Sequence, residues 1–447
     1  MMTKTSIPQL APHLLLRPVD TQYAYAVNCA VPHSFRVLNH TQFQILKAIN
    51  GRDDLANIAA NLSIAPAALA SFMTLMAKSE LVGFENDFSI PQKPITPTSL
   101  NFWIHTTDAC NLGCNYCYIS TLNTSKGMSE SVKKQFLRKL VETAILRKIK
   151  YIKFRLAGGE PLTQFQAWKS FIPEVRKVLM DVGCRSDFAF LSNLTILTQE
   201  IINFSLEHQI SFGVSLDGLG ATHDQTRRFR SGAGSFTLVN NHLHQLLAGN
   251  IPVSITTVVN NVNLDGLPEL TRYLIHLDVP FRYSVVKGEH IDADTLEKNL
   301  SESFLLMADA IDKGWSFSKR FQFCDLKPHE LGFQTCASGF SGGAIYTDGS
   351  LKYCHVHFGD DSQPSHSIFE EELDLVDMIE RGTHPEHNKS EDCQKCRFRF
   401  VCTSGCPIYR VDGKDPQCSL YHQFIPLYYE LLAKERLKLL KNYQMIN

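Results

Sequence analysis

The chain has no surplus of either charge: 44 lysines and arginines stand against 45 aspartates and glutamates, a formal net charge of −1. With no field of one sign to hold a polyanion or an anionic bilayer, nucleic acid and membrane are both poor partners. No run of about eighteen consecutive apolar residues occurs, so no membrane-spanning helix is expected. Residues 1–13 hold one lysine, two prolines and no apolar core. That excludes the pattern of a secretory signal and makes the cytoplasm the expected location. Global disorder and fibrous repeats are excluded too, because apolar residues make up 44% and charged residues 20% of 447 positions, enough for several domains.

What the sequence has in excess is cysteine, 13 in all. In a reducing compartment, clustered cysteines are metal ligands or redox groups rather than disulfides. Three lie between Cys110 and Cys117 and seven between Cys336 and Cys418, while Cys29, Cys184 and Cys324 stand apart.

Residues 1–95 read as strands Leu14–Pro18, Tyr23–Val27 and Phe35–Leu38, helices Thr41–Ile49, Leu55–Leu62 and Ala65–Met76, and a closing strand Leu81–Phe84. That order makes a winged-helix-like module. The commonplace role of such a module is DNA binding, but Ala65–Met76 holds no Arg, Lys, Asn or Gln to meet phosphates or base edges. The proline-rich stretch Ser89–Ser99 is a linker.

From 101 to 290, strand-like segments alternate with helical ones; the strands are Asn101–Thr106, Tyr151–Leu156, Asp187–Leu191, Ser211–Leu216, Val253–Val259 and Phe281–Val286. Repeated β–α units imply a parallel sheet, here an α/β partial barrel of six units. The chemistry of that architecture belongs at the carboxyl ends of the strands. A connecting helix, Thr295–Lys313, lies in the region 291–335. A cysteine-rich domain fills 336–425, and the closing segment 426–447 carries an amphipathic helix, Ile425–Asn442.

The first cluster, Cys110-Asn-Leu-Gly-Cys114-Asn-Tyr-Cys117, follows the first of the six strands. Three thiolates in one loop ligate three irons of a 4Fe–4S cluster and leave the fourth open. Zinc is the structural alternative, although no fourth Cys or His has fitting spacing and His105 lies on the strand. Ala157-Gly158-Gly159-Glu160-Pro161 ends the second strand. Its glycines let the backbone approach a ligand, and Glu160 offers a carboxylate to an ammonium. Leu191-Ser192-Asn193 ends the third strand and Ser215-Leu216-Asp217-Gly218 the fourth; His223-Asp224-Gln225-Thr226-Arg227 follows.

Together these motifs resemble the radical S-adenosylmethionine (SAM) superfamily. The resemblance implies a SAM-binding 4Fe–4S cluster on Cys110, Cys114 and Cys117. It implies the SAM amino group near Gly158, Gly159 and Glu160, and contacts to ribose and methionine from Ser192, Asn193, Ser215 and Asp217. Tyr116 would stand beside the adenine, simple packing being the alternative. Arg227 would meet the methionine carboxylate, a plain surface salt bridge being the alternative. The implied chemistry is reductive cleavage of SAM to methionine and a 5′-deoxyadenosyl radical, which removes a hydrogen atom from the substrate while the protein orients it and excludes water.

The second cluster region runs Cys336, twelve residues, Gly349, four residues, Cys354, then Cys393-x2-Cys396-x5-Cys402-x3-Cys406 and Cys418. It resembles the complete seven-cysteine SPASM domain, with zinc ribbons as the alternative. The resemblance implies two auxiliary 4Fe–4S clusters, one on Cys393, Cys396, Cys402 and Cys418. The other, on Cys336, Cys354 and Cys406, is one ligand short; Cys324, a histidine or the substrate would fill the vacancy. His355-Val356-His357 follows Cys354 and, as a strand, would put both histidines on one face. Anaerobic sulfatase maturases, relatives by architecture, typically carry Asp there as a base. Here His355 is the candidate catalytic base, and a satisfied structural histidine is the alternative.

A winged-helix-like unit ahead of such an enzyme resembles the PqqD-like element that binds a leader peptide as an added strand beside a helix. The expectation is therefore a radical SAM-dependent, peptide-modifying oxidoreductase. Its substrate would be a ribosomally made precursor peptide, its product a carbon–carbon cyclophane or thioether crosslink, and its electron donor a flavodoxin or ferredoxin. The runner-up is sulfatase-maturase-like oxidation of a protein side chain. A reading from another class, an iron–sulfur winged-helix regulator, leaves the GGEP motif and the six β–α units unexplained.

Overall fold

Alternation of small and aromatic residues builds the first sheet. In a computed structural model describing residues 5–84, 88, 90–118, 126–382 and 388–442, these are β1 (Pro8–Leu10), β2 (Leu14–Pro18), β3 (Tyr23–Asn28), β4 (Arg36–Asn39) and β5 (Val82–Phe84). Ser89 of the expected linker and residues 443–447 of the expected closing segment lie outside the described residues. Strands β2, β3 and β4 pair antiparallel in that order, and β1 pairs with β5. Ala24, Ala26 and Leu38 turn to one face and share a core with Ile45 and Leu46 of helix His40–Ala48 and with Met73 and Met76 of helix Pro66–Lys78. Asn39 closes a capping box on the first helix, and Pro66 opens the other at a position where its missing N–H costs nothing. Tyr25 turns to the opposite face, where its hydroxyl donates to the Pro426 carbonyl at 2.8 Å. Pro426 lies in helix Cys418–Asn442, which begins well before the expected Ile425.

The chain divides into two compact units, one of residues 1–93, 301–335 and 386–447, the other of residues 94–300 and 336–385. The second unit holds the parallel sheet: β6 (Ser99–His105), β7 (Tyr151–Ala157), β8 (Arg185–Ser192), β9 (Ser211–Ser215), β10 (Val253–Val259) and β11 (Phe281–Val285), adjacent in that order. In β7, Ile152, Phe154 and Leu156 are buried on the outer face, and Phe154 meets Phe136 of helix Glu130–Leu146 edge-on. Tyr151, Lys153 and Arg155 alternate with them and turn to the inner face.

A strand absent from the sequence reading, Gly342–Ile345, adds to the free side of β6 in parallel. A Cβ on Gly342 would collide with the Asn101 carbonyl, so only glycine fits there. Ser350–Lys352 and Ser365–Ser367 continue the sheet antiparallel. The expected strand at His355–Val356–His357 is instead a 3-10 turn: the chain folds back at Cys354, whose carbonyl accepts from His357 N at 3.1 Å, so the one-face pairing of the two histidines does not hold. Among the described residues no single helix is long and apolar enough to cross a membrane.

Candidate active site

The cysteine-bearing loop after β6 is knitted to the end of β7 by backbone hydrogen bonds. Gly159 N donates to the Thr107 carbonyl at 2.7 Å and Glu160 N to that of Ala109 at 2.8 Å. A Cβ on Gly158 would strike Thr107 and one on Gly159 would strike Ala109. The two glycines therefore serve an internal approach to the cysteine loop, where the sequence suggested an approach to a ligand.

Glu160 is fully buried, and its carboxylate is held by three donors: Ser192 Oγ at 2.7 Å, Asn193 N at 2.7 Å and Leu162 N at 3.1 Å. Burial pushes its pKa up to about 7 against the pull of those bonds and of Arg227. Asn193 in turn donates through Nδ2 to Asn111 Oδ1 at 3.1 Å and reaches Cys110 Sγ at 3.7 Å. Its Oδ1 accepts from Thr195 Oγ1 at 2.7 Å, and Asn111 Nδ2 donates to that same hydroxyl oxygen at 2.7 Å. Asn111 and Thr195 were not singled out from sequence; the polar residues beside Cys110 and Asn193 were the available signal.

Asp217 is the second buried carboxylate. Its Oδ2 accepts from Arg227 Nε at 2.7 Å, from Thr226 Oγ1 at 3.3 Å and from the Tyr116 hydroxyl, while Oδ1 accepts from Val258 N at 3.0 Å. Arg227 is thus a buried partner of Asp217, which corrects the surface-salt-bridge alternative. Its Nη1 lies 4.0 Å from Cys114 Sγ. Asp217 N donates to His223 Nδ1 at 3.3 Å, leaving Nε2 to donate to Ser235 Oγ at 3.1 Å; that hydroxyl donates to the Arg227 carbonyl at 2.6 Å. Burial, with Arg227 second, lowers the His223 pKa to about 4. Ser215 ends β9 on the inner face, half-buried, opposite Thr256.

The thiols of Cys110, Cys114 and Cys117 act on one another electrostatically, and burial pushes Cys110 up to about 11. Thiolates there call for a cationic centre, and N–H groups already face them: Leu112 N is 3.4 Å from Cys110 Sγ. Among the described residues no three side chains converge on one ion. A cubane instead takes its thiolates at separate corners, so the donor set fits a 4Fe–4S cluster with one open iron.

In the other unit, a cavity of about 710 Å³ is lined by Cys393, Cys396 and Cys418 together with Leu15 and Arg17 of β2. The half-buried Cys402 feels both Cys418 and Cys396. Phe398 N donates to Cys396 Sγ at 3.4 Å, and His422 Nε2 lies 3.5 Å from the same sulfur. Three thiols lining that volume, with Cys402 acting on two of them, fit a second cubane. Cys324 is buried in the same unit, where its charge and that of Cys402 both act on Tyr421. Cys336 and Cys354 belong to the unit of the parallel sheet and Cys406 to the other.

His355 stacks on Trp103 with ring centroids 4.0 Å apart and has Tyr118 at 5.1 Å. Burial, then His105 and His357, lowers its pKa to about 3, so the ring is neutral. Nearby, His105 Nε2 and Asp108 Oδ1 are 2.8 Å apart, and the Tyr346 hydroxyl donates to Asp108 at 2.8 and 3.0 Å. Asp108 and Tyr346 also escaped the sequence reading; the polar run Thr106–Asp108 before Cys110 was the signal for the first, and nothing marked the second.

Residues 104–274 match the model of the radical SAM superfamily. An uncharacterised protein of Methanocaldococcus jannaschii is 30% identical over 197 residues, 44% of this chain; the match spans 66% of that relative, just under two thirds. A serine-type anaerobic sulfatase-maturating enzyme of Bacteroides thetaiotaomicron is 22% identical over 73% of this chain and 89% of its own. The structure of anSMEcpe with bound AdoMet superposes with a TM-score of 0.61 at 17% identity, over 77% of this chain and all of that one. Streptococcus suis SuiB bound to precursor peptide SuiA superposes with a TM-score of 0.50 at 13% identity, over 92% and 99%.

Proposed function

Starting from a radical SAM domain at residues 104–274, in an enzyme of SAM radical chemistry that uses SAM and 4Fe–4S clusters, we propose a maturase that crosslinks a ribosomally made precursor peptide. The observation that carries this reading is the arrangement at the ends of β6 to β9, where three thiols of one loop face two buried carboxylates, Glu160 and Asp217.

When bound, the reduced cluster and SAM supply a 5′-deoxyadenosyl radical that takes a hydrogen atom from the substrate. Cys110, Cys114 and Cys117 would hold that cluster, with Leu112 N and the Asn193 amide donating to sulfur. Glu160, poised near neutrality, ionises against an ammonium laid beside it and so grips the cation, while Ser192 and Asn193 keep its oxygens still. Arg227 spends Nε on Asp217 and aims Nη1 at Cys114 Sγ, and Nη2 remains for a carboxylate. Tyr116 is pinned through its hydroxyl on Asp217, which fixes its ring for stacking. His355, neutral at any ordinary pH, serves through hydrogen bonding by Nδ1 rather than by storing a proton. Cys393, Cys396, Cys402 and Cys418 would hold one auxiliary cluster; the assignment of Cys336, Cys354 and Cys406 to another rests on the cysteine pattern.

The peptide reading draws on the N-terminal sheet. Among the described residues β4 pairs on one side only, with β3. Helix Pro66–Lys78, which shares a core with β4, leaves Leu75 51% exposed. An open strand edge and an exposed apolar side chain on a helix of the same module suit an added peptide strand. A second reading, oxidation of a side chain in a sulfatase-like protein, is favoured by the long likeness to sulfatase maturases and opposed by histidine at position 355.

The test is anaerobic reconstitution, dithionite reduction and incubation with SAM and the peptide encoded by a short reading frame beside the gene. Release of 5′-deoxyadenosine with a peptide lighter by two hydrogens is the expected result. Oxidation of a serine or cysteine in a sulfatase-derived peptide instead would favour the second reading. Iron-loaded protein that fails to cleave SAM would overturn both.

A further inference from the structure

Helix Cys418–Asn442 begins on one of the clustered thiols, and one turn later it carries His422. Residues four apart share a helix face, and Cys418 and His422 both line the cavity of about 710 Å³. From that face His422 Nε2 lies 3.5 Å from Cys396 Sγ. The same sulfur accepts from Phe398 N at 3.4 Å. Phe398 has a second part here: its buried ring stands edge-on to the imidazole, with centroids 5.2 Å apart and planes at 81°. His422 itself is exposed, so the helix and this ring contact, rather than burial, set where Nε2 points.

A thiolate bound to iron can only accept, so Nε2 is the donor there and the proton-bearing nitrogen of the ring follows. A neutral imidazole suffices. Two N–H groups then meet on one corner of the four-thiol set. The cations of the lining, Arg17, Lys395, Arg397 and Lys414, are of another kind. They act on the whole set through screened charge, whereas a hydrogen bond acts on one sulfur. Lys395 and Lys414 are moreover paired with Glu391 and Asp392. An N–H donated to a ligating sulfur disperses the negative charge that reduction adds, and so favours the reduced cluster.

We propose that His422 raises the reduction potential of the auxiliary cluster held by Cys393, Cys396, Cys402 and Cys418, by donating Nε2–H to the Cys396 sulfur. It acts through Cys396 and is a positioning residue rather than a ligand. The inference rests on the assignment of those four cysteines to one cluster, and it holds whichever peptide is modified and whichever bond is formed.

The test is a redox titration of the full-length, iron-loaded protein, followed by electron paramagnetic resonance without substrate. The signal to follow is the one that Cys402→Ala removes. At the solution potential that half-reduces this cluster in the parent, the ratio of reduced to oxidised cluster is expected to fall about tenfold in His422→Leu, with iron unchanged. His422→Gln, which keeps an N–H at similar reach, is expected to restore most of that ratio. Should His422→Leu lose iron, His422→Phe, which keeps a ring and drops the N–H, is read in its place. An unchanged ratio, an equal fall with glutamine and with the apolar residue, or loss of about four irons in all three variants would overturn the proposal. A parent protein with no signal that depends on Cys402 would overturn it as well, by removing the cluster it concerns. SAM cleavage in the same preparation is read separately, so that failure is told apart from failure of the functional reading.

Discussion

The guanidinium of Arg227 lies over the ring of Tyr116, 5.4 Å from its centroid, while both side chains donate to the same oxygen, Oδ2 of Asp217. One carboxylate thus fixes a cation and an aromatic ring that flank the cysteine loop. The pair is buried, with Asp217 fully enclosed and Arg227 8% exposed. Removing one partner leaves the other charge unpaired in a poor dielectric.

Asp217→Asn is therefore expected to cost about 3–5 kcal/mol in urea denaturation, where an exposed pair would cost less than about 1 kcal/mol. The double variant Asp217→Asn, Arg227→Met loses less than the sum of the single changes, because it no longer strands a charge. Additive losses would show that the pair is not coupled.

His223 gives the fold an acid limit. Its folded pKa, about 4, lies below the ordinary 6.5, so between those values the unfolded chain binds more protons than the folded one and stability rises with pH. The contribution is complete above about 6.5 and is lost as the pH falls to about 4, on the order of 3 kcal/mol. Urea midpoints taken across that window are expected to fall with acid in the parent protein and to flatten in His223→Gln. A parallel slope in both would assign the acid limit elsewhere.

Gly159→Ala drives a methyl into the Ala109 carbonyl just ahead of Cys110. Overpacking of this kind typically costs about 1–3 kcal/mol. Here the obstacle is backbone, so the displacement passes to the cysteine loop. Loss of the SAM-dependent change in the electron paramagnetic resonance signal of the reduced cluster, with the auxiliary clusters retained, is the expected outcome. Gly183→Ala is the comparison: no atom lies within reach of its Cβ, and its positive φ costs stability alone.

Cys402→Ala is expected to remove about four irons per chain from the anaerobically reconstituted protein, since Cys402 acts with both Cys396 and Cys418 of the four-thiol set. Cys184→Ala, whose thiol donates to the Arg185 carbonyl, is expected to remove none. Iron analysis of both variants beside the parent checks the pair; equal iron in all three would deny Cys402 its role.

The parallel sheet was legible because each of its strands announces itself locally. Val253–Val259 coincides with β10, and β6, β7, β8, β9 and β11 differ from the sequence reading by a residue or two at their ends. The motifs were legible for the same reason, since Cys110 to Cys117 and Gly158 to Glu160 are contiguous. What stayed hidden is what depends on distant partners. Gly342–Ile345 is too short and glycine-rich to read as a strand until β6 is beside it. Tyr346 meets Asp108 across 238 positions of sequence. His355–His357 alternates like a strand, yet a backbone hydrogen bond to Cys354 turns it. The glycines of the GGEP motif were legible as a need for close approach, and only the structure identified the Thr107–Ala109 backbone as what they approach.

The cavity that Leu15 and Arg17 share with Cys393, Cys396 and Cys418 has a wall made from the beginning of the chain and a floor made from near its end. During synthesis β2 leaves the ribosome several hundred residues ahead of the cysteines it will face, so the enclosure closes only once Cys418 has followed. A cluster there therefore waits on thiols made long after the wall that covers it. A shortened protein lacking its first ninety-odd residues would present the same four thiols to air without their cover.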